Sequence, residues 1–462
     1  MIPTERDAYQ LLHNGALAFA DIERHGMCVD VEYLDRMIER TGTKIARLTS
    51  KLKSSKFFAD WCKTFGQRTN MGSREQLGHV LFVQMKCQCT QRTATGKPKV
   101  DEAVLETIDI PEVKAFLEIE KLKKARSTYL VGIRREVCDG VIHPFFNLNL
   151  VRSFRSSSDH PNFQNMPIRD KKIGKLIRSC FVPRKGNRIV ELDYSGIEVR
   201  IAACYHKDQN MLRYINDPES DMHRDMAQQI YFLRKKQMTK EIRFCTKSYF
   251  VFAQFYGDYY INCARSLWNT IDRDNIVLAD GTPMKEHLKK KGIERLGLCD
   301  HEQPPLPGTF EQHLKAVEND FWNNRFKEYG QWKWDWWNAY CKTGEFQMLS
   351  GFKVHGHYDK KQVINYPIQG AAFHCLLWSL IRINKWLKRN KMKTRIVGQI
   401  HDSIVADVAE SELNEYLHKA NQISTVSIRR AWPWIITPLE IEAEATEVDQ
   451  AWFYKKPIAI PA

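Results

Sequence analysis

Hydrophobic positions recur at helical spacing through the first third of the chain. From about Glu32 to Val137 the pattern is largely helical and rich in Lys and Arg. Within it, the segment Glu118 to Glu136 mixes spaced apolar residues with the cations Lys121, Lys123, Lys124, Arg126, Arg134 and Arg135. One face of such a helix can follow a line of phosphates, and the alternative is an ordinary solvated helix face.

The periodicity then stops. The stretch Val151 to Pro167, "VRSFRSSSDHPNFQNMP", is rich in Ser, Asn and Pro and predicts an extended loop with turns. Its short hydrogen-bonding groups can pair with base edges and sugars through Arg155, Asn162 and Gln164. The alternative is a plain surface connection.

Two later segments predict strands that end at acids. Asn187 to His206 begins as a β-rich run, places Asp193 just beyond Leu192, and then turns toward a helix. Thr394 to Val408 has two apolar runs around "HDS", which predicts a hairpin with Asp402 at its turn.

Either acid alone is typical of a turn residue. On neighbouring strands of one sheet, however, Asp193 and Asp402 can hold two divalent ions about 4 Å apart, the arrangement that serves in-line phosphoryl displacement. Oxygen ligands suit Mg²⁺, so two magnesium ions are the predicted cofactors, and Mn²⁺ can replace them.

A cationic helix is predicted between the two acids, in Lys240 to Tyr260. Arg243 and Lys247 are four residues apart and share a helical face, where two cations can grip a triphosphate. Lys247 can also donate a proton to departing pyrophosphate. The aromatic residues Phe252, Phe255 and Tyr256 offer stacking surfaces for a base, with core packing as the alternative.

Composition agrees with a polyanionic partner. The chain has 462 residues, enough for two to four domains, and 70 Lys and Arg against 55 Asp and Glu, a formal charge of +15. We find no apolar run long enough to cross a membrane and no cleavable signal, so we expect a soluble, cytoplasmic monomer.

Cysteine usage predicts no metal site. The twelve cysteines are scattered, and only Cys87 and Cys89 lie close together, without a second pair to complete a zinc ligand set. We interpret them as reduced thiols.

These segments resemble the family A DNA polymerases, the group that includes bacterial DNA polymerase I. "LDYSGIEVRIAA" is similar to the family's first metal motif, "RFCTKSYFVFAQFYG" to its fingers helix, and "QIHDSIVADV" to its second metal motif, in the family's order. The flanking pieces "RSSSDHPNFQNMP", "DMHRDMAQQIY", "INYPIQGAAFHCL" and "FADIERHGMCVDVEYLDRM" resemble the primer-binding loop, a His-containing fingers segment, the minor-groove helix and the approach to the thumb. We favour a phage or plasmid enzyme of this type.

The resemblance implies an α+β, right-hand fold with an antiparallel palm sheet, a helical thumb and helical fingers. The implied boundaries are an N-terminal palm segment at 1–30, thumb at 31–150, palm at 151–205, fingers at 206–360 and palm again at 361–462.

The resemblance also implies the site residues and the reaction, which is addition of dNTPs to a primer on template DNA. Asp193, Asp402 and the Tyr194 carbonyl would bind the metals, and Glu198 would exclude a ribose 2′-hydroxyl. The remaining roles are triphosphate binding by His223, Arg243 and Lys247, stacking near the templating base by Tyr256, and primer or template contacts by Arg155, Gln164, Asn365, Gln369 and His401.

The chain departs from the family pattern at four places. Ser403 replaces a glutamate that many relatives carry after the His-Asp pair, and Gly196 replaces a usual glutamine. Lys247 and Tyr256 are one residue further apart than in bacterial relatives, so Val251 or Phe252 faces the nucleotide, and we favour Phe252. The segment from Gly257 to Gln362 is longer than usual, with a basic helix and a Trp-rich cluster as its expected contents.

Other interpretations remain open at this point. Glu198 and the order of the motifs speak against an RNA-synthesising or reverse-transcribing enzyme. Arg243 and Lys247 speak against a two-metal nuclease, because a nuclease binds no triphosphate. An inactive DNA-binding module would lack the two acids, which are present. Because the polymerase pattern begins within the first thirty residues, we expect no proofreading exonuclease in this chain. A separate exonuclease or processivity factor is therefore a candidate partner.

Overall fold

The computed structural model describes residues 2–89, 92–93, 96–168, 170–297 and 306–461. Its α-helices are α1 Glu5–His25, α2 Val31–Lys53, α3 Lys56–Phe65, α4 Arg74–His79, α5 Glu102–Leu105, α6 Pro111–Lys124, α7 Val131–Glu136, α8 Lys171–Arg178, α9 Ile197–His206, α10 Gln209–Asn216, α11 Met222–Tyr231, α12 Lys240–Thr246, α13 Phe252–Phe255, α14 Tyr260–Arg273, α15 Met284–Lys290, α16 Phe310–Asp320, α17 Lys327–Thr343, α18 Lys360–Arg389, α19 Leu413–Asn421 and α20 Ile428–Ala431.

The strands are short apart from those that carry the predicted acids. They are β1 Met27–Val29, β2 Val141–Ile142, β3 Phe145–Asn147, β4 Ser157–Asp159, β5 Phe181–Val182, β6 Asn187–Tyr194, β7 Glu345–Gln347, β8 Lys353–His355, β9 Arg395–Ile400, β10 Ser403–Ala409, β11 Ile441–Ala445 and β12 Lys456–Ile458. Turns of π-helix adjoin several α-helices, at Val80–Gln84, Ala125–Leu130, Lys247–Val251, Phe321–Arg325 and Gln422–Ser427.

A five-stranded antiparallel sheet positions both aspartates. Its order is β12-β11-β6-β10-β9, so the two long strands β6 and β10 are neighbours near its centre. Every residue of β10 is buried, and the apolar residues of β6 face the same core. The predicted α+β class with an antiparallel sheet carrying both acids is therefore confirmed.

Long helices cover this sheet. The 30-residue α18 buries most of its length, and contacts connect it to α1, α9 and α17. Its start is fixed by a capping box, in which the Asp359 side chain accepts from the Gln362 backbone N–H and Gln362 reciprocates. Thr4 and Asp7 cap α1 in the same way. The two capping boxes fix where α1 and α18 begin, and so which of their side chains pack against the sheet.

The buried hydrophobic residues of the described ranges fall into three clusters. The largest joins the five-stranded sheet to α1 and α18, the second lies within 202–368, and the third lies within 52–119 around Trp61 and Phe116. Three cores suit a chain of this length, for which two to four domains are expected. The proposed domain boundaries themselves stay a prediction.

Two local expectations need refinement. The segment predicted as an irregular loop, Val151 to Pro167, contains β4 and a 3₁₀ turn at Phe163–Asn165. The basic segment Glu118 to Glu136 is helical, but several of its cations bind within the protein. Lys121 pairs with Glu102 and Glu106, Arg134 with Asp35, and the Arg126 guanidinium donates to the Ile38 carbonyl. These cations stabilise the helix packing, which leaves less charge for phosphates than the sequence suggests.

The long segment between Gly257 and Gln362 forms α14 to α17 and the β7–β8 hairpin in its described part. Its expected basic helix is α15, and its Trp-rich stretch is α17. Trp332 and Trp336 pack inward as expected, whereas Trp334 is exposed. None of the helices in the described residues has both the length and the apolar character that a bilayer crossing requires.

Candidate active site

The register of the sheet brings the two aspartates together. Asp193 is the penultimate residue of β6 and pairs across the sheet with Ser403, the first residue of β10. Asp402 immediately precedes Ser403, in the two-residue turn that follows β9. The Tyr194 N–H donates to the Asp402 carbonyl at 3.2 Å, which closes the ladder at this end. His401 completes the turn with a positive φ of 48°.

Both carboxyl groups carry raised pKa values. Desolvation raises the pKa of Asp193 to about 7, with further contributions from the charges of Asp402, Glu191 and Glu442. Desolvation, followed by the charge of Glu198, raises the pKa of Asp402 to about 6. The neighbouring cations therefore do not neutralise all of the negative charge at this site. A bound metal cation would reduce the repulsion between these carboxylates.

The donor set fits magnesium by its chemistry, because it consists of hard oxygen atoms. Within the described ranges, His, Cys, Asp and Glu side chains do not assemble into a metal-binding group of three or more. A metal at this site would therefore depend on Asp193, Asp402 and backbone carbonyl oxygens such as that of Tyr194.

A buried polar network supports the aspartates from behind, and sequence reasoning missed it. Glu191 accepts from the Ser403 hydroxyl at 3.3 Å and from the Trp452 indole N–H at 3.1 Å. Lys455 forms an ion pair with the same carboxylate at 2.7 Å. The two-residue period of a strand puts Glu191 on the face of Asp193, and this was the available signal. Lys455 gave none, because 262 positions of chain separate it from Asp193.

An open cleft of about 480 Å³ lies beside the acids. It collects most of the residues that the resemblance implies for the nascent base pair. These lining residues are Arg155, Glu198, Phe252, Tyr256, Asn365, Gln369, His401 and Asp402.

Hydrogen bonds tie several of these side chains to one another. The Tyr256 hydroxyl donates to Glu198 Oε2 at 2.6 Å, and Arg155 lies 3.9 Å from the other oxygen of that carboxylate. The Asn365 amide donates to the Tyr256 carbonyl at 3.4 Å. These contacts hold the Glu198 carboxylate, which keeps some exposure to solvent, at the cleft wall.

A second cleft, of about 530 Å³, adjoins the first and shares Phe252 with it. It is lined by the three residues implied for triphosphate binding, His223, Arg243 and Lys247. The Arg243 guanidinium donates to Asp221 at 2.6 Å, and the Lys247 ammonium lies 5.2 Å from the centre of the Phe252 ring.

His223 is neutral at physiological pH. Burial, and then the charges of Arg243 and Lys247, lower its pKa to about 4. Its Nδ1 atom is buried without a hydrogen-bond partner. A buried orphan nitrogen between two cations is a ready contact for an anionic oxygen.

The helix between Lys247 and Tyr256 contains a π-helical turn. Lys247–Val251 is π-helical, and the Phe252 N–H donates to the Lys247 carbonyl five residues earlier. Val251 is completely buried in the second hydrophobic cluster, whereas Phe252 lines both clefts. This geometry supports Phe252 as the residue that faces the nucleotide.

Two predicted DNA contacts lie outside the cleft lining. The Asn162 side chain accepts from the Asn165 N–H and from the Ser158 hydroxyl, so it organises its own turn. The Gln164 amide donates to Gln399 at 2.6 Å and to Ser156 at 2.8 Å. Gln399 in turn donates to the His401 carbonyl at 2.6 Å, which ties this loop to the acid-bearing turn.

The cleft also contains a residue for which the sequence gave no signal. Tyr329, the third residue of α17, lines the cleft and stacks on His206 with ring centroids 4.1 Å apart. Its backbone N–H donates to the buried Asp208 carboxylate at 3.3 Å. A helix of the long segment therefore forms part of the cleft wall.

Comparison with solved structures identifies the fold. The structure is similar to the POL domain of Pol1 from M. smegmatis, determined in complex with DNA primer-template and dNTP, with a TM-score of 0.72. The match covers 96% of this chain and 70% of that one at 22% sequence identity, so it shows the fold of a polymerase domain.

Sequence comparison identifies the family. The sequence model of DNA polymerase family A matches residues 33–275 and 347–447, and the chain belongs to this family. The interruption at 276–346 falls within the long segment between Gly257 and Gln362.

Curated relatives include bacterial and phage enzymes. DNA polymerase I of Pseudomonas aeruginosa is 25% identical over 85% of this chain and 39% of its own length. DNA polymerase I of Lactococcus lactis is 26% identical over 93% of this chain and 45% of its own. The DNA polymerase of Bacillus phage SP01 is 26% identical over 78% of this chain and 37% of its own. The chain thus spans less than half the length of these relatives.

Proposed function

We propose that the chain is a DNA-directed DNA polymerase that adds dNTPs to the 3′ end of a primer. One observation supports this most directly: the paired aspartates lie beside the first cleft, and the second cleft, lined by His223, Arg243 and Lys247, adjoins the first. Acids for two metal ions and cations for a triphosphate then lie on either side of one reacting phosphorus. Under this proposal the five-stranded sheet is the palm, residues 31–150 the thumb and 206–360 the fingers.

The carboxylates of Asp193 and Asp402 and the Tyr194 carbonyl would hold the two Mg²⁺ ions. Ions bound there would supply the charge that acidifies the primer hydroxyl and stabilises the leaving pyrophosphate. The protein's own part is to keep both carboxylates in place. Lys455 and Trp452 do so indirectly, because they hold Glu191 and, through it, the Ser403 hydroxyl opposite Asp193.

The fingers residues would bind the triphosphate by charge. Arg243 would exchange its ion pair with Asp221 for a phosphate, which it can grip with two parallel hydrogen bonds. Lys247 would neutralise a second phosphate and could protonate the departing pyrophosphate. Neutral His223 would donate one N–H without adding a third positive charge to the crowded site.

Glu198 would select the sugar. Its position is fixed by the Tyr256 hydroxyl and by Arg155 at the wall of the cleft. A carboxylate held there leaves no room for a 2′-hydroxyl beneath the sugar, so deoxynucleotides are favoured. Phe252 and Tyr256 would provide the stacking surface for the base, and Asn365, Gln369 and His401 would contact primer or template.

A two-metal nuclease would need the same pair of acids. The second cleft distinguishes the polymerase hypothesis from the nuclease hypothesis. Hydrolysis of a phosphodiester requires water and metal but no grip on a β- and γ-phosphate. The arrangement of His223, Arg243 and Lys247 therefore favours a triphosphate substrate over hydrolysis.

Primer extension tests the proposal. The pure chain is incubated with Mg²⁺ and a labelled primer on a longer template, with either all four dNTPs or all four rNTPs. We expect template-dependent extension with dNTPs and little with rNTPs. Loss of label from the primer without extension would instead favour the nuclease.

A further inference from the structure

The helix α17 borders the active-site cleft on the side of the long segment. Tyr329 near its start lines the cleft, and the Trp336 indole donates to the Val363 carbonyl of α18 at 3.1 Å. The first turns of α18 supply Asn365 and Gln369 to the same cleft. The outer surfaces of α17 and α18 therefore meet just outside the site.

Trp334 lies on this outer surface. Its side chain is 57% exposed, although neighbouring Trp332 and Trp336 pack inward. The Lys360 ammonium lies 5.4 Å from the centre of the Trp334 ring. An exposed indole offers a flat surface on which a base can stack, and the ammonium group beside it can contact the negative charge of a phosphate.

A continuous strip connects Trp334 to the site. Next to Lys360, the stem of Lys361 packs over Gly257, with its Cγ 3.4 Å from where a β-carbon would lie. Gly257 directly follows Tyr256, whose carbonyl accepts from Asn365. Lys360 and Lys361 thus lie between the cleft and Trp334.

Acids in the neighbourhood do not cancel these cations. Asp359 is engaged in capping the N-terminus of α18, and Asp335 accepts from Gln331 on its own helix.

We propose that Trp334, Lys360 and Lys361 form a binding platform for the unpaired template strand as it approaches the cleft. One unpaired base would stack on the indole, and the two ammonium groups would contact the flanking phosphates, the combination used by proteins that bind single strands without sequence preference. The inference rests on the proposed polymerase function and assigns a role to residues beyond it. Trp334 lies within 276–346, which the family model does not match.

Equilibrium binding tests the platform independently of catalysis. Fluorescence anisotropy is measured without metal or dNTP on two substrates with the same duplex, one blunt and one with a long 5′ template overhang. We expect Trp334→Ala to weaken binding of the overhang substrate by about fivefold or more, the scale of one lost base stack, and to leave the blunt duplex unchanged. Trp334→Phe should retain most of the affinity, and Lys360→Gln should reduce it and flatten its salt dependence.

Tyr9→Ala is the matched control. Tyr9 is an aromatic residue of α1 that is 71% exposed, and its loss should change neither affinity. Equal affinity of Trp334→Ala and wild type for the overhang substrate would overturn the platform. An equal loss of affinity for both substrates, in a variant that keeps the wild-type melting temperature, would also overturn it. Failure of the polymerase proposal is distinguishable, because it would appear as absent primer extension by the wild-type chain.

Discussion

The Tyr256 hydroxyl and the Glu198 carboxylate are joined by a hydrogen bond of 2.6 Å across the active-site cleft. Tyr256 directly follows α13, whereas Glu198 is the second residue of α9, the helix that follows the strand carrying Asp193. The contact therefore couples the surface expected to face the base with the wall expected to face the sugar.

This coupling predicts a change in sugar selectivity. Glu198→Ala should raise kcat/KM for ribonucleotides relative to deoxynucleotides by about tenfold or more, because the side chain beneath the sugar is removed. Tyr256→Phe, which removes only the hydroxyl, should have a smaller effect in the same direction. The ratio of kcat/KM for dNTP and rNTP measures both. An unchanged ratio in Glu198→Ala would show that selection lies elsewhere.

Loss of either aspartate should separate catalysis from DNA binding. Asp193→Ala and Asp402→Ala remove metal ligands and no phosphate contact, so nucleotide addition should be abolished while primer-template affinity stays near that of wild type. Single-turnover extension and a gel-shift titration measure the two quantities. Extension by either variant at a near wild-type rate would refute the mechanism.

The second cleft predicts a defect specific to nucleotide use. Arg243→Ala and Lys247→Ala should each weaken dNTP use by about 1.5–3 kcal/mol, the typical worth of a hydrogen bond to a charged group. Lys240→Ala, on the same helix but outside the cleft lining, serves as the control. Should the two variants lose binary DNA affinity to the same extent, the helix would belong to the template backbone instead.

The raised pKa values predict how stability depends on pH. The pKa of Asp193 is about 7 in the folded chain against 3.8 for the unperturbed group, so the folded state holds this proton more tightly. The free energy of unfolding of the metal-free chain should therefore fall as pH rises between these values. Asp193→Asn should raise metal-free stability at about pH 8, on the order of 1 kcal/mol because solvent reaches the group and screens its charge.

Magnesium should reverse this trend. A cation that binds only the folded state stabilises it, and it competes with protons for the two carboxylates. The rise in melting temperature on adding Mg²⁺ should thus be larger at about pH 8 than at about pH 5.5 and should vanish in Asp193→Asn. A Mg²⁺ effect that is equal at both pH values would place the ion elsewhere.

We also propose that these 462 residues do not edit. A 3′–5′ exonuclease needs a cluster of metal-binding acids, and the described residues before Val151 are mainly helices with their own apolar core. The measurement is incubation of a mismatched, end-labelled primer with Mg²⁺ and no dNTPs. Metal-dependent shortening of that primer would contradict the proposal.

The sequence was most informative where local pattern determines geometry. The β-rich runs around Asp193 and Asp402 predicted strands, and the structure makes these strands antiparallel neighbours in a register that brings the two acids together. The four-residue spacing of Arg243 and Lys247 predicted a shared helical face, and in the structure both residues line the second cleft.

Contacts between distant segments were beyond that reasoning. Lys455 reaches Glu191 only because β11 and β12 return beside β6, and Tyr329 reaches the cleft only because α17 packs on α9 and α18. Neither residue has a local signature of its role. The role of Asn162 in shaping its own turn was likewise not indicated by the sequence, and its contact with DNA stays a prediction.

The π-helical turn at Lys247–Val251 affects how sequences of this kind should be aligned. An additional residue in a regular helix rotates everything beyond it by about 100°, which would turn Phe252 and Tyr256 away from the cleft. The wider turn takes up that rotation before Phe252, so the angular phase of the aromatic residues relative to the cations is kept. A length difference from a relative with a regular helix at this place would therefore be taken up inside Lys247–Val251, and Phe252 would keep its position beside both clefts.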